Sequence, residues 1–298
     1  MSLVINHNMM AMNATRNLNN SYSQMAVSTR RLSSGLRVGT AADDAAGLAI
    51  RELMRADISS LNQGVRNAND AISMIQTADG ALQVVDEKLI RMKELATQAA
   101  TGTYTSDQRL IIDSEYQAMA SEITRIASAT DFNGIYLLNG NLSSNVHNGS
   151  GLNSMGKIKI HFGTGNNSAE DYYFINIGTS TASALGLGLG ASSTMTGGRS
   201  ISTQALAQTA MDQINKAIVS KDKIRAQLGS TQNRLQNTIQ NLSIQAENLQ
   251  AAESRISDVD VATEMTQFVR EQILTQAAVA MLSQANSMPK MAMQLIQG

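Results

Sequence analysis

The chain has 298 residues, of which 43% are hydrophobic, so it is long enough for one large domain or two ordinary domains with a packed core. Aromatic residues make up only 3% and tryptophan is absent, which favours packing between helices through aliphatic side chains and the 17 methionines over an aromatic-rich globular core. The formal net charge of -1 argues against a nucleic-acid-binding protein, and the absence of cysteine excludes disulfides and thiolate chemistry.

The first predicted element is an amphipathic N-terminal helix. Its apolar residues recur at intervals of three or four, with Thr29 in the one gap, which predicts an apolar seam along one side. The seam consists of Leu18, Tyr22, Met25, Leu32 and Leu36. Gly35 and Gly39 then weaken the pattern, and either Thr40 or Asp43 is the predicted N-cap of the next helix.

The second predicted helix runs from Ala45 to Ala100 and is unusually long. Its apolar positions step by three or four: Leu61, Val65, Ala68, Ile72, Ile75, Ala78, Leu82, Val85, Leu89, Met92, Ala96 and Ala99. Such a helix would span ~85 Å, whereas a compact globule of this chain length would be only about 50 Å across. We therefore predict an elongated rod, which excludes most enzyme folds.

A third helix is predicted after a turn at Gly102, because Thr105 and Gln108 have the spacing of a capping box. Its apolar seam comprises Ile112, Tyr116, Met119, Ile123 and Ile126. The short loop predicts that the second and third helices pack antiparallel.

The middle of the chain changes character, since 13 of the 21 glycines lie between Gly134 and Gly198. Two alternating runs predict short strands, namely Ile158, Ile160 and Phe162, and then Tyr173, Ile175 and Ile177. Residues 163–167 are the predicted hairpin loop between them.

Helical periodicity returns from Thr203. One heptad position is interrupted by Lys221 and otherwise holds Ile214, Leu228, Leu235, Leu242, Leu249 and Ile256, which predicts a long coiled-coil strand. After Asp258, a final helix carries an apolar line of Leu274, Ala278, Met281, Ala285, Met288, Ala292 and Leu295. Pro289 should either kink this helix or be accommodated by a local adjustment.

Neither a secretory signal peptide nor a membrane span is predicted. Met1 is not followed by a basic residue and an apolar run, and the longest purely apolar stretch, Ala277 to Leu282, is far shorter than a membrane span. Composition alone would place the chain in the cytosol, so only a dedicated export route would carry it outside.

Three stretches of the sequence resemble bacterial flagellins. Residues 32–54, LSSGLRVGTAADDAAGLAIRELM, are similar to the N-terminal signature of that family. Residues 130–140, TDFNGIYLLNG, resemble its FNG-x-x-LL-N-G motif, and residues 256–286, ISDVDVATEMTQFVREQILTQAAVAMLSQAN, resemble its C-terminal signature. The resemblance covers roughly residues 1–142 and 200–298.

The resemblance and the helical pattern together predict a mainly α fold. We expect an elongated rod of long antiparallel helices, a coiled coil or helical bundle, with a small β-rich central insertion and the N- and C-termini paired at one pole. Three domains are predicted. Residues 1–42 with 257–298 form a terminal helical domain, 43–142 with 200–256 a helical bundle domain with a short β-hairpin, and 143–199 a small, variable, surface-exposed β and loop domain.

The resemblance also implies a function and partners. The expected role is a structural subunit that polymerises into the flagellar filament for swimming motility, outside the cell, after export by the flagellar type III apparatus. Implied partners are other copies of the chain, an export chaperone, the filament cap protein, the hook-filament junction proteins and a host Toll-like receptor. No membrane or nucleic-acid partner is implied.

The terminal helices are the predicted assembly surface. Their seams would serve either as an intrachain core or as contacts between subunits, and we favour subunit contacts because an isolated pair of helices is marginally stable in water. We further hypothesise that both ends are largely disordered in the monomer and fold on assembly. The predicted assembly residues are Leu18, Tyr22, Met25, Leu32, Leu36, Met265, Phe268, Leu274, Met281, Met288 and Leu295.

A second predicted surface involves Arg91, Leu95 and Glu115. The segment IRMKELATQ, which contains Arg91 and Leu95, resembles the flagellin segment that the Toll-like receptor of animal innate immunity recognises, and Glu115 occupies the matching acidic position on the next helix. Arg91 and Leu95 flank the apolar seam, so both should be at least partly exposed. The alternative is a helix surface used in protofilament contacts, and the two roles are compatible.

No residue pattern predicts a catalytic, metal or cofactor site. His7, His147 and His161 are the only histidines, and neither H-E-x-x-H nor G-x-S-x-G occurs. Asp43 and Asp44 form a carboxylate pair at a helix start, where capping is favoured over catalysis. We therefore predict a protein without enzymatic activity or cofactor.

Two rival functions remain compatible with parts of the pattern. A hook-filament junction protein shares the terminal signatures but would not form long filaments alone. A soluble coiled-coil adaptor or a type III needle-tip protein shares the rod shape and the heptads, but not both terminal signature blocks.

Overall fold

The computed structural model describes residues 7–144, 156–168, 170–188 and 199–297, and of residues 292 and 295–297 it describes the backbone only. The described chain forms five helices: α1 (Met9–Ser34), α2 (Ala45–Ala100), α3 (Ser106–Ala129), α4 (Gln204–Ser257) and α5 (Val261–Gln297). Four short strands lie between α3 and α4: β1 (Asp131–Phe132), β2 (Ile135–Tyr136), β3 (Ile158–His161) and β4 (Tyr172–Ile175). The predicted fold class, long helices with a small β insertion, is confirmed.

Contacts divide the chain into two compact units. One comprises Met1–Ile58 with Glu247–Gly298, and the other is Ser59–Ala246. The described strands β3 and β4 pack into the core of the second unit together with its helices. The three-domain division drawn from the sequence stays a prediction.

The second unit, Ser59–Ala246, has a layered apolar core. Leu89 and Met92 of α2, Tyr116 and Ile123 of α3 and Ile214 of α4 are fully buried in one cluster. The predicted seams of α2 and α3 and most of the heptad line of α4 therefore face inward, because residues spaced by three or four share one side of a helix. A second cluster joins α2 and α4 to the β hairpins.

The turn between α2 and α3 follows the predicted capping chemistry. The Thr105 hydroxyl accepts a hydrogen bond from the Gln108 amide, and the Gln108 side chain accepts one from the Thr105 amide, which completes the capping box. Arg109 donates to the carbonyl oxygens of Ala99 (3.0 Å) and Thr101 (2.8 Å). One side chain of α3 thus satisfies backbone acceptors at the end of α2 that the helix leaves unpaired.

The hairpin β3–β4 is antiparallel, with Ile158 opposite Ile175 and Ile160 opposite Tyr173. These are the inward-facing residues that the alternating pattern predicts, so the strands and their loop are confirmed. Gly64 lies where the hairpin approaches α2, since a Cβ there would collide with the Phe162 carbonyl oxygen. Glycine at this position therefore permits close packing of helix and hairpin.

The sequence predicted Thr40 or Asp43 as the N-cap of α2, and both predictions are wrong. Asp44 is the cap, since its carboxylate accepts a hydrogen bond from the Gly47 amide at 2.9 Å. Asp43 instead accepts from both the amide and the hydroxyl of Thr40 and pairs with Arg30 at 2.8 Å. The hydrogen bonds from Thr40 lower the pKa of the Asp43 carboxyl. Asp43 and Thr40 close the preceding turn with each other, so neither begins the helix.

Candidate assembly and recognition surfaces

Helices α1 and α5 form an antiparallel pair in the first unit. The Asn8 side chain donates to the Ala285 carbonyl at 2.8 Å near one end of the pair, and Arg31 lies 3.6 Å from the Glu264 carboxylate near the other. The paired ends are thus as predicted, and helix α5 continues through Pro289.

Backbone hydrogen bonds join the segment that follows α1 to the end of α4 and the connection to α5. Gly35 adopts a left-handed conformation with φ 72° at the C-cap of α1, which turns the chain toward the end of α4. There the Arg37 amide donates to the Ser257 carbonyl at 2.7 Å, and the Val259 amide donates to the Gly35 carbonyl at 3.0 Å. The Arg37 guanidinium also donates to the Ile256 carbonyl at 2.7 Å. Backbone hydrogen bonds thus join segments that are far apart in the sequence.

The contact line of α1 differs from the predicted seam. It passes through Ser21 and Ser28, whereas Tyr22 is 59% exposed and Thr29 is also exposed. The covered positions step by three, four and three residues from Leu18 through Ser21 and Met25 to Ser28, so they form one continuous stripe and Tyr22 lies beside it. Small serine side chains also allow the two helices to approach each other.

The contact line of α5 also differs from the prediction. Leu274 and Met281, which were expected on the apolar line, are exposed, Met281 by 60%. The side that faces α1 carries Glu271, which is buried, followed by Ala278 and Ala285. Hydrophobic spacing alone missed Ser28 and Glu271, because polar residues inside a helix contact leave no apolar signal.

The predicted assembly residues therefore fall into three groups. Exposed on the pair are Tyr22, Met265, Leu274 and Met281. Half-buried are Leu18, Met25, Leu32, Leu36, Phe268 and Met288. The side chain of Leu295 lies outside the described residues.

An open groove of about 650 Å³ lies between the two helices of the pair. Helix α1 lines it with the amide side chains of Asn13, Asn17 and Asn20, and α5 lines it with Leu274 and Met281. The groove thus offers hydrogen-bonding amides on one wall and apolar surface on the other. This combination suits a further helix, which would bury the apolar side chains and hydrogen-bond the amides.

The predicted recognition residues lie on α2 and α3 of the second unit. The Arg91 guanidinium donates to one Glu115 carboxylate oxygen from two nitrogens, at 2.8 and 3.0 Å, and to Glu94 at 3.0 Å. The bonds to Glu115 and then Glu94 raise the pKa of Arg91. Side-chain exposure is 48% for Arg91 and 43% for Glu115, so both charges reach solvent.

The predicted exposure of Leu95 is wrong. Leu95 is only 2% exposed and belongs to the core cluster with Tyr116 and Ile123. A single apolar seam along α2 would leave Leu95 on its flank. Because both α3 and α4 pack on this helix, its buried side is wider than one seam and includes Leu95.

The described residues were also searched for metal sites and membrane spans. Within them, no group of three or more His, Asp or Glu side chains is placed to hold a metal ion. Each of the described helices also falls short of the length and apolarity that crossing a bilayer requires.

Comparison with known proteins identifies the family. The profile of the bacterial flagellin N-terminal helical region matches residues 5–143, and the profile of the bacterial flagellin C-terminal helical region matches residues 211–296. The chain belongs to the bacterial flagellin family. The resemblance found in the sequence motifs is thereby confirmed. The family consists of structural proteins of the flagellar filament and not of enzymes.

Relatives in this family match along their full length. The flagellin of Halalkalibacterium halodurans is 41% identical over 295 residues, which cover 99% of this chain and 100% of the relative. The flagellar filament 33 kDa core protein of Treponema phagedenis is 40% identical, again over 99% of this chain and 100% of the relative. A putative flagellar hook-associated protein from Vibrio parahaemolyticus has a similar fold, with a TM-score of 0.55 and 15% identity over 72% of this chain and 100% of that one.

Proposed function

We propose that the chain is a structural subunit that polymerises into the bacterial flagellar filament through its terminal helices. The observation that carries this proposal is the exposed apolar surface of the α1–α5 pair, to which Tyr22, Met265, Leu274 and Met281 contribute. Exposed apolar side chains clustered on one element are typical of an interaction surface. The full-length match to a protein named as a filament core protein supports the same function.

Assembly follows from the geometry of the pair. A second copy that places a helix in the groove would cover Leu274 and Met281 and would satisfy the amides of Asn13 and Asn17. The groove and the helix that fills it are different surfaces, so the contact is heterologous. Such contacts propagate as an open helical polymer unless the rotation closes a ring. No covalent chemistry is needed.

Deletion of residues 1–42 and 257–298 tests the proposal. Every buried residue of the two main core clusters lies within 59–246, so we expect the truncated chain to stay folded, as measured by circular dichroism. We expect it not to polymerise when seeds of the full chain are added, as seen by electron microscopy. Normal fibres from the truncated chain would contradict the proposal.

Point variants test the same surface without deletion. Met281→Glu places a charge where a second copy would bury an apolar side chain. We expect the rate of seeded growth to fall at least about tenfold, because burying one unpaired charge in the contact is unfavourable. Gln284→Glu is the matched control, since it introduces the same charge at another exposed position of the same helix and removes no apolar group. Equal growth of both variants would exclude a role for Met281.

Order in the terminal helices is a further part of the proposal. A pair of helices with few buried side chains gains little from packing, so we propose that α1 and α5 are largely disordered in the monomer and fold on assembly. Hydrogen exchange distinguishes the two states. We expect slow exchange in α1 only in the polymer, and strong protection of α1 in the monomer would exclude coupled folding.

Export and localisation complete the proposed function. We propose that the chain leaves the cell unfolded through the flagellar type III apparatus and functions outside it, with an export chaperone, the cap protein and the junction proteins as partners. The absence of cysteine supports export as an unfolded chain, because no disulfide has to form or break on the way. Retention of the chain inside cells that have an intact export apparatus would contradict this route.

We also propose that a Toll-like receptor of animals recognises the Arg91 and Glu115 surface. Both side chains are exposed and held together by the hydrogen bonds between them, so they present a fixed pair of charges. Leu95 would act indirectly, by holding α2 against the core. Arg91→Asp should abolish receptor signalling, while Arg125→Asp, which changes an exposed arginine further along α3, should leave it intact. Full signalling by Arg91→Asp would defeat the assignment.

The junction-protein alternative predicts a different assembly product. A junction protein would add to the end of an existing polymer but would not elongate it. Seeds grown with an excess of this chain therefore discriminate, since long fibres support the filament subunit and capped seeds support the alternative.

A further inference from the structure

The outer face of the hairpin β3–β4 carries an ordered array of cations and rings. In an antiparallel pair, alternate residues share a face, so Lys159 and His161 lie on the side of their partners Phe174 and Tyr172. The opposite side, with Ile158 and Tyr173, packs into the core. Neither strand contains an acidic residue.

Close contacts hold these side chains in place. The Lys159 ammonium lies 3.7 Å from the centroid of the Tyr172 ring, and the Lys157 ammonium lies 4.5 Å from that of Phe174. The rings of Tyr172 and Phe174 meet edge to face at 5.4 Å. Lys159 also reaches the Asn166 side-chain oxygen at 3.5 Å. Lysines ordered in this way lose less conformational freedom on binding an anion than free lysines would.

One carboxylate beside the hairpin is held by the hairpin loop. Asp171 precedes β4, and its side chain accepts hydrogen bonds from the amides of Gly165 (3.3 Å) and Asn167 (2.6 Å). Its charge is therefore engaged by the hairpin loop and not by the lysines.

A groove of about 350 Å³ adjoins this face at the edge of β3, within the size range of ligand sites. Besides Lys159 and His161, it is lined by Asn67, Asp70, Phe132 and Asn133. Amide and carboxylate oxygens beside an aromatic ring can accept the hydroxyl hydrogens of a sugar and cover its apolar side. The cations next to the groove would bind an acidic substituent on the same sugar.

We propose that the outer face of β3–β4 and this groove form a binding surface for an anionic polysaccharide that carries carboxylate or sulfate groups. A nucleic acid fits less well. The ammonium groups already occupy the rings of Tyr172 and Phe174, so these rings do not offer free platforms for base stacking.

A single site of two lysines and one histidine binds weakly. If the chain polymerises as proposed above, a polymer would display the site many times, and linked sites raise the overall affinity by about 10² to 10⁴. The binding surface itself does not depend on assembly. It is therefore tested on the monomer.

The experiment titrates the full-length monomer with heparin fragments, which are sulfated and contain uronic acid, and follows binding by calorimetry. The double variant Lys157→Gln/Lys159→Gln should bind at least about tenfold more weakly, because two charge-assisted contacts are lost. The matched double variant Lys216→Gln/Lys223→Gln removes two exposed lysines of α4 and should change affinity less than about twofold. Phe174→Leu should weaken binding severalfold, since it removes the ring that orders Lys157.

Three results would overturn the proposal. They are equal losses in the two double variants, undiminished binding of neutral dextran in place of heparin, and equally tight binding of a single-stranded oligonucleotide. Circular dichroism of each variant shows whether the helices are intact. If the chain fails to polymerise, the proposed function fails while the monomer titration still decides the polysaccharide surface.

Discussion

The α1–α5 pair and the helical bundle of Ser59–Ala246 bury their apolar residues very differently. In the bundle, α2 has neighbours on more than one side, so Leu89, Leu95 and Tyr116 are almost completely buried. In the pair, each helix has one neighbour, and Tyr22 and Met281 remain exposed. A helix with a single partner can bury only one stripe of its surface, so the rest of its apolar residues stay exposed in the single chain.

The largest expected difference comes from truncating one leucine in each region. Leu89→Ala should lower the free energy of unfolding by about 3 kcal/mol, because it leaves a cavity in a fully packed core. Leu274→Ala removes the same atoms from an exposed position and should change the monomer by less than about 0.5 kcal/mol. Urea denaturation of both variants measures this, and similar losses would show that the pair is as well packed as the bundle.

A smaller loss of unfolding free energy is expected at Lys221, the charged residue in the otherwise apolar heptad line of α4. Lys221 is only 2% exposed and its ammonium lies 2.5 Å from Asp86 and 2.8 Å from Asp222. Asp86→Asn should cost about 1 to 2 kcal/mol, because Asp222 still pairs with the buried cation.

Lys221→Met is the informative companion to that variant. It removes the buried charge, and the side chains of Asp86 and Asp222, which are 28% and 59% exposed, stay in contact with water, so the unfolding free energy should stay within about 1 kcal/mol of the natural chain. The same urea denaturation measures the change. A larger loss of unfolding free energy would mean that the ion pair stabilises the fold by more than the cost of removing its charges from water.

Removal of the cap on α3 should cost less again. Thr105→Ala deletes the hydroxyl that accepts from the Gln108 amide, and we expect a loss of about 1 kcal/mol in the unfolding free energy. Thr105→Ser keeps the hydroxyl and serves as the control. If both variants unfold alike, the capping box contributes nothing measurable to the bundle.

The smallest effect concerns a surface ion pair of the bundle. The hydrogen bond from Arg125 lowers the pKa of the Glu122 carboxyl below its ordinary value. A depressed pKa means that the stabilising contribution is present above the unfolded value and is lost as the pH falls through the folded one. NMR titration should place the Glu122 midpoint below that of an unpaired, exposed glutamate, and Arg125→Gln should return it upward. An unchanged midpoint in that variant would exclude Arg125 as the cause.

The sequence predicts the bundle well because periodicity and burial agree there. The extent of α2, the capping box at Thr105 and the alternation of Ile158 and Ile160 in the hairpin were all evident from spacing. Each of these features depends on residues that are close together in the chain, so local pattern is sufficient.

The recognition surface was predicted less completely. Arg91 and Glu115 come from different helices. The resemblance to the family singled out both, the apolar seam predicted the exposure of Arg91, and the structure brings the two side chains within hydrogen-bonding distance. The burial of Leu95 was missed because it depends on how many helices pack against α2. The ion pair of Lys221 with Asp86 was not evident either, since these residues are 135 positions apart.

Local spacing in the sequence determined which segments are helices and strands, where α3 is capped and which side of most helices is apolar. The terminal signatures also determined the family. Only the tertiary structure decided which apolar residues are covered, because coverage depends on the number and position of neighbouring elements. It therefore left Met281 exposed, buried Leu95, and placed Ser28 and Glu271 in the contact between α1 and α5.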